Sequence, residues 1–599
     1  MLRYTVQLFG ITVFAIALIW FVGSGEANQT SDNSEPVLWA DTVHINLEGD
    51  TETEIAPEVK RDSFLKDVKK LTQTAFNIRN HYMEEVDTHE IIKAGMRGML
   101  SDLDRFSVLM EKSSYDALME STHGKYEGLG MQIDSRDNRI VIVSPIEGTP
   151  AYRKGLRAGD IIWEIEGQST DGMSSADASK LMRGKAGTSI LLNIKRAGSK
   201  DLLEFEVERA LIELKSVNYS GIVPGTNIGY VRLSRFAEET SHELREAITA
   251  LEDQNISGLI FDLRHNGGGL LDQAKETAEL FLDKGREIVY TKGKYDDSER
   301  HFVSERPPIF TDKPLVILVN EGTASASEIV AGAIQDWDRG LILGNPTYGK
   351  GLVQQIFPVS ADGSLALKLT TAKYYVPSGR CIQKPDKQGK KPMTMDAMAV
   401  DSASDSLEIA DKEIFYTNGG RIVYGGGGIV PDVEQERDLY KPIEINLERK
   451  SMFFDFAVQY VSDNPDVKPD LEVSAEMLEE FRQYLKDKEF DYKTSMQYAY
   501  EQLKETVTEE NKDSVFGDQL ANLNELIEKE KGADFDRSTE FIKRMIKRDI
   551  VSAIAGERGV YEHVWLETDK TVLRAVEIMQ QDGEYAKMLA AGSRKAELN

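Results

Sequence analysis

The chain has 599 residues, enough for several domains, and its 41% hydrophobic and 29% charged content fits a mostly globular protein rather than a disordered one. A formal net charge of −29 argues against nucleic acid or an anionic membrane surface as a main partner. The single cysteine, Cys381, excludes an internal disulfide, and the scattered histidines include no His-Glu-x-x-His, so neither a metal nor a cofactor is expected.

After Arg3, the stretch Val6 to Val22 is almost wholly apolar and contains FGITVFAIALIWFV. At the extreme N-terminus such a run reads as a signal peptide or a single membrane anchor. Gly25-Glu26-Ala27 has the small residues of a cleavage site, and no cysteine follows that could carry a lipid. Residues 1–27 are therefore expected to direct export, with membrane contact only through this segment if it stays uncleaved. Residues 28–60 are rich in Asp, Glu, Thr, Ser and Asn and read as a flexible leader. From 61 to 118 the pattern is helical: Phe64, Leu65, Val68, Leu71 and Ala75 fall on one face.

Residues 119–212 form a compact unit. GLGMQI, Gly128 to Ile133, starts a strand. RIVIVSPIEGTPAYRKGLRAGDIIWEIEGQ carries strand, turn, short helix, Gly-Asp turn and strand; DASKLMRG fits a helix; SILLNIKR and LLEFEVER close with strands. This resembles a PDZ domain. Such domains add a peptide as a strand to a sheet edge and hold its C-terminal carboxylate with loop N–H groups. Gly128, Leu129, Gly130 and Met131 match that loop.

From 213 to 438 strands and helices alternate, an α/β pattern, with an aperiodic insertion at about 380–419. PLVILV, from Pro314, reads as a buried strand, and NEGTASASEIVAGAIQD follows it into a helix. A hydroxyl residue at a helix N-terminus sits beside unpaired N–H groups and the positive end of the dipole. Ser325-Ala326-Ser327-Glu328 also matches a capping box, in which the serine does no more than cap the helix. Downstream, PTYGKGLVQQ places Lys350 between two glycines with Gln354 four residues on. A serine, a lysine in tight backbone and an amide are the parts of a Ser/Lys hydrolase. The lysine must be neutral to take the serine proton, which requires burial. His265, three residues after Asp262 at a strand end, is poorly placed for a Ser-His-Asp triad.

TASASEI together with GKGLVQ resembles the C-terminal processing peptidases, also called tail-specific proteases. In that family serine and lysine lie a fixed distance apart, and the 25 positions from 325 to 350 select Ser325 over Thr323 and Ser327. The resemblance continues in DLRHNGGG, Asp262 to Gly269, in GGGGIVPDV, Gly425 to Val433, and in the PDZ-like segment. GMRGMLSDLDRFSVLM, Gly95 to Met110, is similar to the family's lead-in, with Arg105 where proline is frequent, and is expected to lie outside the catalytic machinery. The resemblance implies Ser325 as nucleophile, Lys350 as base and Gln354 as the residue orienting it. It implies an oxyanion hole from Gly267 or Gly268 with Ala326. It also implies an α/β core of the ββα-spiral, ClpP/crotonase-like kind.

Residues 439–599 read as a helical extension that the family core does not require. The expected fold class is thus α+β multidomain: helical N-terminal region, PDZ domain, α/β protease core, helical C-terminal extension. The expected function is an exported serine endopeptidase of the bacterial cell envelope, in the periplasm or on the periplasmic side of the inner membrane. Its partners would be protein or peptide substrates bound by their C-termini, and the location leaves room for an envelope adaptor protein. The alternative is a catalytically inactive PDZ-containing scaffold or chaperone.

Overall fold

The computed structural model describes residues 61–360, 363–385, 413–437 and 439–590. The expected signal or anchor segment 1–27, the leader 28–60 and positions 386–412 of the insertion lie outside these residues. Among the described residues no helix is long and apolar enough to cross a membrane. The architecture is α+β and multidomain.

Gly258–Asp262 and Leu315–Val319 are buried at every position, as expected of strands covered on both faces. They are the middle of a six-stranded sheet ordered Val217–Ile222, Ile228–Leu233, Gly258–Asp262, Leu315–Val319, Leu341–Gly344, Val433–Glu434. The first pairing is antiparallel and the rest are parallel. Parallel neighbours need crossovers, and the helices Thr240–Glu252, Leu271–Glu279 and Ala326–Asp336 supply three of the four. Side chains alternate along a strand, so Leu259, Phe261, Leu315 and Ile317 join the core shared with those helices.

The other alternate set, Ile260, Val316, Leu318 and Leu341, packs with Leu566, Val572, Ala575 and Ile578 from the C-terminal region. Burying one such Leu, Ile or Val contributes about 1.5–3 kcal/mol. The extension, expected as an addition the core could do without, therefore supplies one of the two layers covering the central sheet. Its other helices have their own core around Phe453, Phe456, Phe481, Ile542 and Ile546.

A second sheet is ordered Val108–Glu111, Leu365–Tyr375, Glu287–Gly293, Arg300–Val303, and Leu352–Pro358 also pairs with Leu365–Tyr375. Its first strand comes from the N-terminal region expected to be helical, with Val108 opposite Lys368. The helices Arg61–His81, Thr88–Ser101 and Lys112–His123 make up most of that region. Phe64, Leu65 and Leu71 are 55%, 48% and 56% exposed, so no described element covers the apolar side of the first helix.

The PDZ unit is a sheet ordered Met131–Arg136, Arg139–Pro145, Ile161–Ile165, Ser189–Lys195, Leu203–Glu208, with helices Pro150–Arg153 and Ser175–Met182. Its first hairpin turns at Asp137 and Asn138, both at positive φ (46° and 58°), the backbone a tight two-residue turn demands. Ile140, Ile142, Ile162, Ile190, Leu192 and Val207 fill its core. Lys125–Gly128 pairs antiparallel with Ala210–Glu213, so the chain enters and leaves this unit through one two-stranded ribbon. The unit also leans on the C-terminal helices. The Arg136 guanidinium lies 4.2 Å from the Phe454 ring centre, and Gly159 sits so close to Val458 that a Cβ there would come within 2.3 Å of it.

Candidate active site

Ser325 lies between the strand Leu315–Val319 and the helix Ala326–Asp336, with φ 57° and ψ −117°. Such backbone costs a non-glycine residue roughly 1–3 kcal/mol and persists only when its surroundings over-determine it. Here they do. The Ser325 N–H donates to Glu328 Oε2 at 2.8 Å, and its carbonyl accepts from the Glu328 N–H at 2.8 Å and the Tyr374 hydroxyl at 3.1 Å. The glutamate half of the capping box thus forms, but the Ser325 hydroxyl makes no cap hydrogen bond. The side chain is 3% exposed.

Glu328 is fully buried and gathers the second segment around the first. Oε1 accepts from Thr347 Oγ1 at 2.5 Å and the Gly349 N–H at 2.8 Å, and Oε2 accepts the Lys350 N–H at 2.9 Å. One oxygen therefore holds the backbone N–H groups of both Ser325 and Lys350. The Tyr374 hydroxyl likewise lies against the carbonyls of both residues. Burial pushes the Glu328 carboxyl pKa up, against the pull of its donors.

Lys350 is 8% exposed. Its Nζ donates to Gln354 Oε1 at 2.9 Å and stands 5.0 Å from the Phe106 ring centre. Gln354 Nε2 donates to the Phe106 carbonyl at 2.9 Å, which turns its oxygen toward the amine. Burial lowers the Lys350 pKa to about 7; the neighbouring positive charge of Lys368 lowers it too, and Glu328 and Asp104 oppose. Among the described residues Lys350 Nζ makes no hydrogen bond to Ser325 Oγ.

The glycine loop packs directly on this turn. A Cβ added at Gly268 would lie 2.8 Å from the Ala324 carbonyl, the Ala326 nitrogen and Ser325 Cβ, and Gly268 has φ 101°. The Gly268 N–H is already taken by Asn266 Oδ1 at 2.9 Å. The N–H groups of Gly267 and of Ala326, the first residue of its helix, have no hydrogen-bond partner among the described residues. The Ala326 donor directly follows Ser325, and the Gly267 donor belongs to the loop that packs on the Ser325 turn through Gly268. His265 bonds elsewhere: its N–H donates to Asn320 Oδ1 at 2.8 Å and its ring Nε2 lies 2.8 Å from Asn320 Nδ2. It contacts neither Ser325 nor the Asp262 carboxylate by a hydrogen bond.

In the PDZ unit, Gly128 ends one strand and Met131 begins the outer strand of the sheet. Leu129 is buried in the domain core, and its carbonyl accepts from the Ala151 N–H at 2.9 Å. Gly130 has φ 79°, and its carbonyl accepts from Thr149 Oγ1 at 2.8 Å and the Ile146 N–H at 2.9 Å. Beyond Met131, the Met131–Arg136 strand has a strand partner on one side only among the described residues, which leaves its other edge for a further strand.

Four residues around Lys350 were not singled out from the sequence. Phe106 and Asp104 belong to the lead-in that had been set outside the catalytic machinery, yet Phe106 touches both Lys350 and Gln354. Contact across 248 positions leaves no local pattern to read. Tyr374 and Lys368 lie on the strand Leu365–Tyr375, whose alternation marked a strand but not which face meets the site.

Peptidase family S41 matches residues 227–392, a PDZ domain matches 141–196, and "Probable PDZ-protease, C-terminal helical domain" matches 443–579. The carboxy-terminal-processing protease of Bartonella bacilliformis is 41% identical over 310 residues, 51% of this chain and 70% of that one. Carboxy-terminal processing protease CtpA of Bacillus subtilis is 36% identical over 324 residues, 54% of this chain and 67% of that one. Among solved structures, a photosystem II D1 C-terminal processing protease is 28% identical with a TM-score of 0.34, covering 61% of this chain and 86% of that one. Identity of this extent over most of the relatives' length means that this chain, a serine-type peptidase with a PDZ domain, belongs to the carboxy-terminal processing protease family.

Proposed function

We propose that the protein is an exported endopeptidase that captures protein C-termini on its PDZ domain and cleaves near the tail with Ser325 and Lys350. The observation that supports the chemistry best is the state of the Lys350 amine: buried, bonded to the neutral Gln354 oxygen, with its pKa lowered to about 7. An amine in that state is a base at neutral pH.

In the first half-reaction Ser325 Oγ attacks the scissile carbonyl carbon and its proton passes to Lys350 Nζ. The contact between these atoms forms as substrate is engaged, since catalytic hydrogen bonds often tighten only in the Michaelis complex. The carbonyl oxygen becomes an oxyanion between the N–H groups of Gly267 and Ala326. Of the two candidate glycines Gly267 is favoured, because the Gly268 N–H is committed to Asn266. A donor of this kind is worth roughly 3 kcal/mol in acyl transfer. The C–N bond then breaks and the leaving amine takes the proton back from Lys350. Water, deprotonated by Lys350, attacks the Ser325 ester; the acid product leaves and Oγ regains its proton.

The open edge of Met131–Arg136 and the Gly128–Met131 turn suit a strand-adding peptide whose carboxylate ends at that turn. The apolar run Val6 to Val22 supports export to the envelope. An adaptor there remains part of the proposal.

The test uses wild type and Ser325→Ala with a reporter polypeptide ending in three alanines, beside fluorophosphonate labelling. Cleavage and labelling should both disappear in Ser325→Ala. A wild type that binds the tail but neither labels nor cleaves would instead favour the inactive scaffold.

A further inference from the structure

The C-terminal helices do more than cover the central sheet: one of their residues grips the loop that carries the glycines. Asp569 caps the helix Lys570–Gln580, its Oδ1 accepting from the Thr571 N–H at 2.9 Å and the Val572 N–H at 3.2 Å. Its other oxygen, Oδ2, is 2.8 Å from Arg264 Nη1. Arg264 faces a second carboxylate on its far side. Nε lies 3.0 Å from both Asp262 oxygens, Nη2 is 2.6 Å from Oδ2, and the Arg264 N–H bonds Oδ1 at 2.9 Å. The planar guanidinium is thus wedged between Asp262 and Asp569, the geometry for which its fork of donors is suited.

The two carboxylates are not equivalent. Asp262 is two residues from Arg264 on the same strand end, so their contact moves with the loop. Asp569 belongs to another domain and is the external anchor. Charge points the same way. Asp262 is 1% exposed and also accepts from Arg232 Nη1 and the Tyr230 hydroxyl, each at 2.7 Å. One buried carboxylate therefore faces two guanidiniums, and Asp569 neutralises the second. Gly267 follows three residues after Arg264.

We propose that Asp569 is a positioning residue for peptide cleavage: through Arg264 it fixes the 264–268 loop so that the Gly267 N–H meets the oxyanion. The C-terminal helices are thereby part of the catalytic unit. This rests on the assignment of Ser325 and Gly267 made above.

The test uses the full chain with Asp569→Asn, which keeps the helix cap because Asn caps as well as Asp, and replaces the charged oxygen facing Arg264 with a neutral NH₂ group. With the three-alanine reporter, kcat should fall about tenfold, part of the loss that follows removal of an oxyanion donor. A peptide boronate mimicking the tetrahedral intermediate should weaken by a similar factor. KM and affinity for a free tail peptide should stay at wild-type values, the melting temperature should fall by no more than the loss of one guanidinium partner brings, and Asp569→Glu should recover part of kcat. Tyr585→Phe is the control. Its hydroxyl bonds the Leu315 N–H and carbonyl, at 3.1 Å and 3.2 Å, so it docks the same helices away from the loop, and kcat should hold. If Asp569→Asn fails to fold, Asp569→Ser keeps a cap and is read the same way. An unchanged kcat in a folded Asp569 variant, or an equal loss in Tyr585→Phe, overturns the proposal. Failure of the underlying site shows separately, as cleavage that survives Ser325→Ala.

Discussion

Lys350 Nζ donates to Gln354 Oε1 at 2.9 Å, inside a pocket that leaves the lysine 8% exposed and the glutamine 1% exposed. A neutral acceptor holds the amine while stabilising the ammonium far less than a carboxylate would. With the pKa lowered from 10.5 to about 7, the amine is protonated below that value and free above it. Single-turnover acylation should therefore rise with pH through one ionisation near 7 and stay level above. Gln354→Glu should move this ionisation to higher pH. A mutant midpoint that is lower or unmoved would sink the role given to Gln354.

Lys368 provides a second handle on the same ionisation. The groups acting on Lys350 are Lys368, whose positive charge lowers its pKa, and the Glu328 and Asp104 carboxylates, which raise it. Lys368 sits opposite Ile356, two positions along from the Gln354–Thr370 pair and so on the same sheet face. Lys368→Met removes a repelling charge, so the ammonium form of Lys350 gains. The acylation midpoint should shift upward, with activity depressed at pH 7 and recovered at pH 9. A downward shift would mean that Lys368 acts on substrate rather than on the base.

Glu328 ties the Ser325 turn to the Lys350 turn, and its carboxylate is used by four donors. Glu328→Gln keeps the size but turns one acceptor into an NH₂ group facing donors. Leaving buried donors unmatched costs about 1–3 kcal/mol each. The expected outcome is a lower melting temperature and a kcat loss of about tenfold or more. Intact kcat at the wild-type melting temperature would reduce Glu328 to a plain helix cap.

The tail site can be separated from the chemistry. Gly130 has φ 79°, and a Cβ there would lie 2.3 Å from Thr149 Cβ. Gly130→Ala should distort the loop at a local cost of about 1–3 kcal/mol. KM for the three-alanine reporter should rise while cleavage of a short peptide without a free C-terminus is unchanged. Two aspartates added to the reporter tail should slow wild-type cleavage, both by charge and by loss of apolar contact. Equal rates for the two tails would remove this loop from substrate selection.

What the sequence determined by itself is what local chemistry writes into it. Apolar runs such as PLVILV became buried strands because an unbroken apolar pattern has no solvent side to present. Asp137-Asn138 became a tight turn because both residues tolerate positive φ. The order of PDZ unit, core and helices, the offset of 25 between Ser325 and Lys350, and the pairing of Lys350 with Gln354 four positions on were all legible, the last because it spans one short stretch.

Tertiary structure decided everything that depends on distant residues meeting. The SASE pattern could be read as a simple cap, and only the approach of Thr347, Gly349 and Lys350 to Glu328 makes it a clamp on two segments. A neutral lysine requires burial, but only the fold shows what buries it: Phe106, 244 positions earlier in the chain, lies against an amine whose pKa burial lowers to about 7. The C-terminal helices looked separable because amphipathic periodicity marks an apolar face without naming what covers it. In the fold that face closes the second side of the central sheet, and Asp569 reaches Arg264 at the glycine loop. Spacing along a chain encodes local geometry, while burial, charge balance and pKa arise from neighbours brought together across hundreds of residues.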